Sequence, residues 1–151
     1  MIRKVSRQRE KRGFDGGKLI CGSKRHILVD TLGFPLRILV HDADIQDRDG
    51  IALLIADIKK RYPTLKLLWV DAGYQGPRVA ATVAKEKLRV TVIKRPRVKG
   101  FTVLPRRWVV ERSFAWLEPA RRLSKHFELN DKNEEAWIAM RFAKIATNRL
   151  T

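Results

Sequence analysis

The chain contains very little cysteine, few acidic residues for its size and no long apolar run. Its single cysteine, Cys21, excludes an internal disulfide and a cysteine-rich zinc site. No stretch is long and apolar enough to span a bilayer, and the basic N-terminal residues are not followed by the apolar segment of a signal peptide. These absences favour a cytoplasmic protein.

Positive charge is what the chain has in excess. Its 151 residues carry 33 Lys and Arg against 16 Asp and Glu, a net charge of +17. Charge of this size opposes compaction unless a polyanion neutralises it, and phosphate contacts dominate binding to nucleic acids. An anionic membrane is the rival partner, but no segment forms a clean basic amphipathic helix. We therefore predict nucleic-acid binding and no membrane association.

The length is typical of one domain, here preceded by a basic arm. Residues 1–17 are rich in Lys and Arg and nearly free of apolar side chains, which predicts a flexible arm before a folded domain over residues 18–151. Hydrophobic periodicity predicts an α/β order of hairpin, helix, strand, helix, strand and two helices. The predicted segments are residues 25–30, 35–40, 49–62, 65–70, 77–87, 89–94, 105–117 and 133–150.

Two carboxylates lie in contexts that suggest catalysis. Asp71 ends an apolar strand just before Gly73, and Glu111 lies in an arginine-rich helix. Carboxylates brought together from distant elements of a basic protein are typical of divalent-metal chemistry on a polyanion. Each also has a structural alternative. Asp71 could be a turn former, and Glu111 a surface residue paired with Arg107 one helical turn earlier.

The other polar clusters are interpreted structurally. Asp44, Asp47 and Asp49 come just before the first predicted helix or at its start, and we interpret them as helix caps because their spacing matches no calcium loop. His26 has no second His or Cys at metal-ligand spacing. We therefore predict a phosphate contact or a surface position for it.

Several sequence runs occur in a characteristic order along most of the chain. They are GFDGGK, GSKRHILVDTLGFPL, DADIQDRDG, WVDAGYQGP and RRWVVERSFAW. From about Gly13 to the C-terminus the chain resembles the catalytic domain of DDE transposases, specifically the IS5 group within the IS4-like class. The resemblance implies a ribonuclease-H-like fold, a mixed five-stranded sheet flanked by helices. The predicted segments supply four of these strands, and the first strand is missing.

The resemblance also implies a site and its partners. Asp71 matches the second catalytic aspartate and Glu111 the catalytic glutamate, and both would bind Mg²⁺ (or Mn²⁺). Arg107 matches the arginine of an Arg-x-x-x-Glu signature that holds DNA phosphate. The partners implied are the DNA of the element ends and of the target, bound by a homodimer in a bacterial, nucleoid-associated setting. The remaining DNA-binding residues that we predict are Arg106, Lys24, Arg25, Arg112, Arg121, Arg122 and Lys125.

The first catalytic aspartate of the family has no counterpart before Gly13. Asp30 would lie at the opposite sheet edge from Asp71. Asp15 lies in a glycine-rich loop and would approach the site only by rearrangement. We expect the chain to correspond to the C-terminal part of a transposase. It would be a truncated copy, or the second frame of an element that uses frameshifting and pairs with the upstream-frame product. Alone, it would be inactive.

Two other functions compete with transposition. The chain could be a non-catalytic DNA-binding remnant, or an inhibitor that pairs with full-length copies. A basic RNA-binding protein of ribosomal type would explain the charge, but it gives no reason for the sequence around Asp71 or for the Glu111 helix.

Overall fold

A long antiparallel hairpin forms the centre of the fold. Its strands are β3 (Ile20–Val29) and β4 (Pro35–Asp42). Asp30 closes the turn between them, because its Oδ1 accepts hydrogen bonds from the backbone N–H groups of Leu32 and Phe34, each at 2.9 Å. The predicted hairpin is therefore confirmed, and Asp30 has a structural role. The computed structural model describes residues 2–4, 13–16, 19–93, 107–124 and 127–150.

Two short strands extend this sheet. Strand β1 (Ile2–Lys4) and strand β2 (Gly13–Asp15) both pair antiparallel with β3. They lie on opposite sides of it, because Gly22 is paired with both Lys4 and Gly13. The predicted flexible arm thus contains paired strands. A long strand offers backbone N–H and C=O groups to any extended neighbour, whatever the charge of its side chains.

A second, parallel sheet contains β5 (Leu67–Val70) and β6 (Arg89–Val92). Helix α3 (Pro77–Lys85) connects them and begins with a proline at its first turn, as predicted. The parallel pairing predicted for β5 is confirmed. Full burial of β5 is not, because Trp69 is 38% exposed. The described parts of the chain contain six strands, where the sequence pattern predicts four.

The first predicted helix is broken in two. Helix α1 covers Asp47–Ile55 and helix α2 covers Ile58–Arg61, with Asp57 in the left-handed region at φ 55°. The break has a tertiary cause, because Arg37 of β4 donates a 2.6 Å hydrogen bond to the carbonyl oxygen of Ala56. If α1 continued, this carbonyl would accept a hydrogen bond within the helix, but here it accepts one from the Arg37 side chain.

The remaining helical elements follow the predicted order. Within the described ranges, no helix is both long and apolar enough to cross a membrane. The two remaining helices are α4 (Arg107–Ala115) and α5 (Asp131–Thr147). A 3₁₀ turn over Ala72–Tyr74 follows β5, and a second over Arg121–Leu123 follows α4.

The hairpin is covered on both faces, and this decides where its polar side chains lie. One core joins α1, α2, α3 and β5, and Leu28 and Leu39 of the hairpin pack against it. A second core joins Ile27 and Val40 to α5 and to residues after α4. Because side chains alternate along a strand, β3 presents a different set to each core. The α1 face carries Lys24, His26 and Leu28, and the α5 face carries Arg25, Ile27 and Val29.

Candidate active site

Asp71 ends β5 and caps the 3₁₀ turn that follows. Its Oδ1 accepts a 2.9 Å hydrogen bond from the Gly73 N–H, and its backbone carbonyl accepts one from the Tyr74 N–H at 3.1 Å. The side chain is exposed. The turn-forming role that the sequence offered as an alternative is therefore present, and it leaves the carboxylate open to solvent.

Asp47, in the first turn of α1, faces Asp71 across Gly73. The Asp47 Oδ2 and the Asp71 Oδ1 both lie 3.2 Å from the point that a Cβ on Gly73 would occupy. Only the absence of a side chain at Gly73 leaves this space open. Asp47 was expected to cap its helix, but the N-cap is Gln46 and makes no side-chain cap. The Asp47 carboxylate instead turns towards the end of β5.

A buried lysine lies behind these carboxylates. Lys24 Nζ is 3.4 Å from Asp47 Oδ1 and 3.4 Å from Asp15 Oδ2, and it donates a 2.7 Å hydrogen bond to the carbonyl oxygen of Ile45. We call Asp15, Asp47 and Asp71, together with Lys24, the acidic cluster. The lysine offsets part of the negative charge that three neighbouring carboxylates would otherwise place in one spot.

An open cavity of about 700 Å³ adjoins the acidic cluster. It lies between the end of β2, the start of α1 and the turn after β5. Both acidic and basic groups face it, so it is wide and polar enough for a charged ligand. Its lining includes Asp15, Asp44, Asp47, Arg48, Gly73 and Gln75.

Tyr74 connects the Asp71 turn to the hairpin. Its hydroxyl and His26 Nδ1 form a hydrogen bond. Burial chiefly, and then the charges of Asp47 and Asp71, raise the pKa of Tyr74 above its usual value. Burial chiefly, and then His41, lower the pKa of His26 to about 4. His26 is therefore a neutral, buried link at physiological pH, and not the surface residue or phosphate contact that its sequence context predicts.

Glu111 lies on the exposed side of α4. This helix is anchored at the hairpin turn, where Ser113 Oγ donates to the carbonyl oxygen of Gly33 at 2.8 Å and Arg112 donates to that of Leu32 at 2.8 Å. Asp71, by contrast, is attached to β3 and α1 through Tyr74 and Gly73. The described contacts do not bring Glu111 to Asp71, and the catalytic roles of both residues stay predictions.

The donors around Asp71 suit a hard divalent cation. Carboxylate oxygens are the ligands that Mg²⁺ prefers, and it needs few of them because it keeps several waters. The open space at Gly73 lies between two such oxygens. Nevertheless, no group of three or more His, Cys, Asp or Glu side chains within the described ranges is arranged to hold a metal ion.

Two of the predicted DNA contacts are inside the protein. Arg25 is 3% exposed, pairs with Glu134 of α5 and donates to the carbonyl oxygen of Leu123 at 2.9 Å. Lys24 is 6% exposed within the acidic cluster. Both lie on a strand whose two faces are covered, so neither can reach a phosphate in this structure. We therefore correct the prediction and leave them out of the DNA interface.

The other predicted DNA contacts lie in or near α4 and the segment after it. Arg112 is half-buried, with its guanidinium 4.2 Å from the ring centre of Trp108 and 4.9 Å from that of Trp116. Arg121 and Arg122 are exposed, and Arg122 pairs with Glu128 at 2.8 Å. Arg106 lies outside the described residues, as do the side chains of Arg107 and Lys125.

Five residues of this site do not follow from the sequence. Asp47 is predicted as a helix cap, Asp15 as part of a glycine-rich loop and Lys24 as a DNA contact, and no role beside Asp71 is predicted for Tyr74 or His26. The spacing of Asp71 and Tyr74 does indicate a contact for the tyrosine, because a residue three positions after a strand-ending aspartate lies one turn away and can pack inwards. Nothing in the sequence, however, indicates which residue would meet it.

Most of the chain is similar to known proteins. It matches the family described as Transposase DDE domain over residues 2–146, so the chain belongs to that family. It is 29% identical over 136 residues to a proposed transposase of insertion sequence element IS402 from Burkholderia cepacia. That match covers 85% of this chain but only 64% of the relative, less than two thirds of its length. No solved structure matches the chain.

Proposed function

We propose that this chain is the catalytic domain, or part of it, of a transposase that cuts and joins DNA at the ends of an insertion element. The observation that carries the proposal is the open acidic cluster around Asp71 in a member of the transposase DDE domain family. The net charge of +17 supports DNA as the partner. The α/β order and the parallel β5–β6 pair are compatible with a ribonuclease-H-like sheet.

In this proposal, Asp71 and Glu111 are the catalytic carboxylates. Asp71, with Asp47 beside it, would hold Mg²⁺ or Mn²⁺ through carboxylate oxygens. Such an ion, when bound, supplies Lewis-acid activation at the phosphodiester. The Gly73 N–H holds the Asp71 carboxylate in one orientation. Lys24 limits the repulsion between Asp15 and Asp47, so that these side chains can stay close together without the ion.

The DNA-contacting surface in this proposal is centred on α4 and the segment after it. Arg121 and Arg122 are exposed there, and Lys125 follows them in sequence. Arg106 precedes α4 in sequence, and Arg107 is its first residue. A homodimer, or pairing with an upstream-frame product, belongs to the same proposal, because two element ends have to be held together.

Nicking of a supercoiled plasmid tests this function. The plasmid should carry the DNA that flanks the gene, and the reaction should be followed with Mn²⁺ or Mg²⁺. In a complete transposase that contains this chain, we expect Asp71→Asn and Glu111→Gln to lower the nicking rate by at least about 100-fold, because each removes a charged ligand. Asp57→Asn is the matched control, because Asp57 is exposed and forms an ion pair with Lys60 at the surface. Unchanged nicking in the first two variants would refute their assignment.

A second function is a DNA-binding remnant or an inhibitor of full-length copies. The position of α4 favours it, because Arg112 and Ser113 hydrogen-bond this helix to the hairpin turn, and Phe114 packs against the second core. This alternative predicts salt-dependent DNA binding by the wild-type chain without any cation-dependent nicking. The same plasmid experiment, together with a binding titration, separates the two functions.

A further inference from the structure

Tyr74 is the most buried residue of the loop that follows Asp71. Over residues 71–76 every residue is exposed except Tyr74, which is half-buried. The Tyr74 N–H also donates to the carbonyl oxygen of Asp71 at 3.1 Å. A contact that holds the Tyr74 ring in place therefore also restrains the turn that contains Asp71 and Gly73.

His26, the partner of the Tyr74 hydroxyl, is immobilised on several sides. Its ring is 4% exposed and stacks on the ring of His41, with centres 4.6 Å apart and an interplanar angle of 23°. His41 is in turn held by a 2.7 Å hydrogen bond from its Nδ1 to the carbonyl oxygen of Asp42. A Cβ on Gly50 of α1 would lie 3.1 Å from the Nε2 atom of each ring. The two imidazoles are thus packed between the hairpin and α1.

We propose that Tyr74 and His26 are positioning residues, which hold the Asp71 turn so that its carboxylate can bind a divalent cation. The inference rests on the proposed function. Its physical basis is that a ligand on an exposed loop binds a cation well only when its orientation is fixed beforehand, and outer contacts supply that restraint. The hydrogen bond between Tyr74 and His26 connects this loop to the rigid hairpin.

Tyr74→Phe tests the proposal, and Tyr62→Phe is its matched control. Both tyrosines pack against the same core, and each makes one hydrogen bond through its hydroxyl. Tyr62 donates to the carbonyl oxygen of Leu36 at 3.1 Å and has no link to Asp71. Each substitution removes one oxygen and keeps the ring, so a general effect of losing a half-buried hydroxyl should be similar in the two variants.

Two readouts report the orientation of the Asp71 turn. The first is hydrogen exchange of the Gly73 amide, followed by NMR with no cation present, because this amide donates to Asp71 Oδ1. The second is Mn²⁺ affinity, measured by electron paramagnetic resonance on the full chain. For Tyr74→Phe we expect roughly tenfold faster exchange and roughly tenfold weaker Mn²⁺ binding, the usual effect of losing an outer contact to a ligand. Tyr62→Phe should change neither by more than about twofold.

His26→Phe approaches the same link from the other side. It keeps an aromatic ring against His41 and removes the nitrogen that meets Tyr74. We expect both readouts to shift as in Tyr74→Phe, with no further shift in the double variant, because both changes break one interaction. If one single variant does not fold by circular dichroism, the other decides the question.

The possible outcomes separate this inference from the proposed function. If Tyr74→Phe and Tyr62→Phe have the same Gly73 exchange and the same Mn²⁺ affinity, the positioning role is wrong. If Asp71→Asn binds Mn²⁺ as tightly as the wild type, the proposed role of Asp71 fails instead. Faster Gly73 exchange and weaker Mn²⁺ binding in Tyr74→Phe alone support the inference.

Discussion

The buried ion pair between Arg25 and Glu134 should be a main determinant of stability. It joins the central strand to α5, and each side chain is only 2% exposed. Glu134→Ala removes the charge partner of Arg25 and leaves its guanidinium with the Leu123 carbonyl. Breaking a buried pair in this way costs about 3–5 kcal/mol. Because small domains are stable by only about 5–15 kcal/mol, the variant should lose a large share of its stability.

Urea denaturation followed by tryptophan fluorescence measures this effect. With a slope of about 2 kcal/mol per M, a loss of about 4 kcal/mol lowers the midpoint by about 2 M. Lys132→Ala is the control, because Lys132 of the same helix is 76% exposed and pairs with Glu135. That substitution should cost less than about 1 kcal/mol. Equal midpoints for Glu134→Ala and Lys132→Ala would refute the argument.

A double variant tests the reason for the loss. Arg25→Met combined with Glu134→Leu removes both charges and keeps apolar volume at the interface. It should recover most of the stability lost in Glu134→Ala, because the cost there arises from a buried charge without its partner. A double variant that is as unstable as Glu134→Ala would mean that the lost contacts of α5, and not the charge, explain the effect.

Three further predictions concern the site. Gly50→Ala adds a methyl 3.1 Å from two buried imidazoles. Crowding should cost about 1–3 kcal/mol and outweigh the gain of about 1 kcal/mol in helix propensity. The variant should therefore have a lower Tm, and a raised Tm would contradict this prediction. The pKa of His26 is lowered to about 4 in the folded protein, so the unfolded protein binds this proton more readily. The free energy of unfolding should therefore fall by about 3 kcal/mol as the pH drops from 6.5 towards 4. Urea titrations across this pH range should show a flatter profile for His26→Phe. Gly73→Ala places a methyl between two carboxylates of the acidic cluster, so Mn²⁺ titrations should show a lower affinity. Gly16→Ala is the control, because its methyl enters open space and should leave the Mn²⁺ affinity unchanged.

Local patterns predicted much of the fold. The hairpin, the parallel strand before Asp71, the proline-initiated helix after it and the long last helix all occur where alternation, helical periodicity and turn residues indicate them. The predicted first helix is the clear exception. Its apolar face continues past the break, and the break comes from Arg37, a residue of another element.

The site was predicted less completely. The position of Asp71 at a strand end follows from an apolar run that stops before a glycine. The neighbours of Asp71 do not follow from any run of residues, because Asp47, Lys24 and His26 come from different elements. The error on Arg25 has the same origin. A basic side chain in a strand is interpreted as exposed unless both faces of that strand are known to be covered.

The sequence by itself determined the α/β order, the basic character and the family, since these depend on local periodicity, composition and motifs in series. Only the tertiary structure decided which charges are buried and which carboxylates are neighbours. Residues 24 to 26 illustrate the physical reason. Alternation along β3 sends Lys24 and His26 towards α1 and Arg25 towards α5, and the consequence for each depends on what packs against that face.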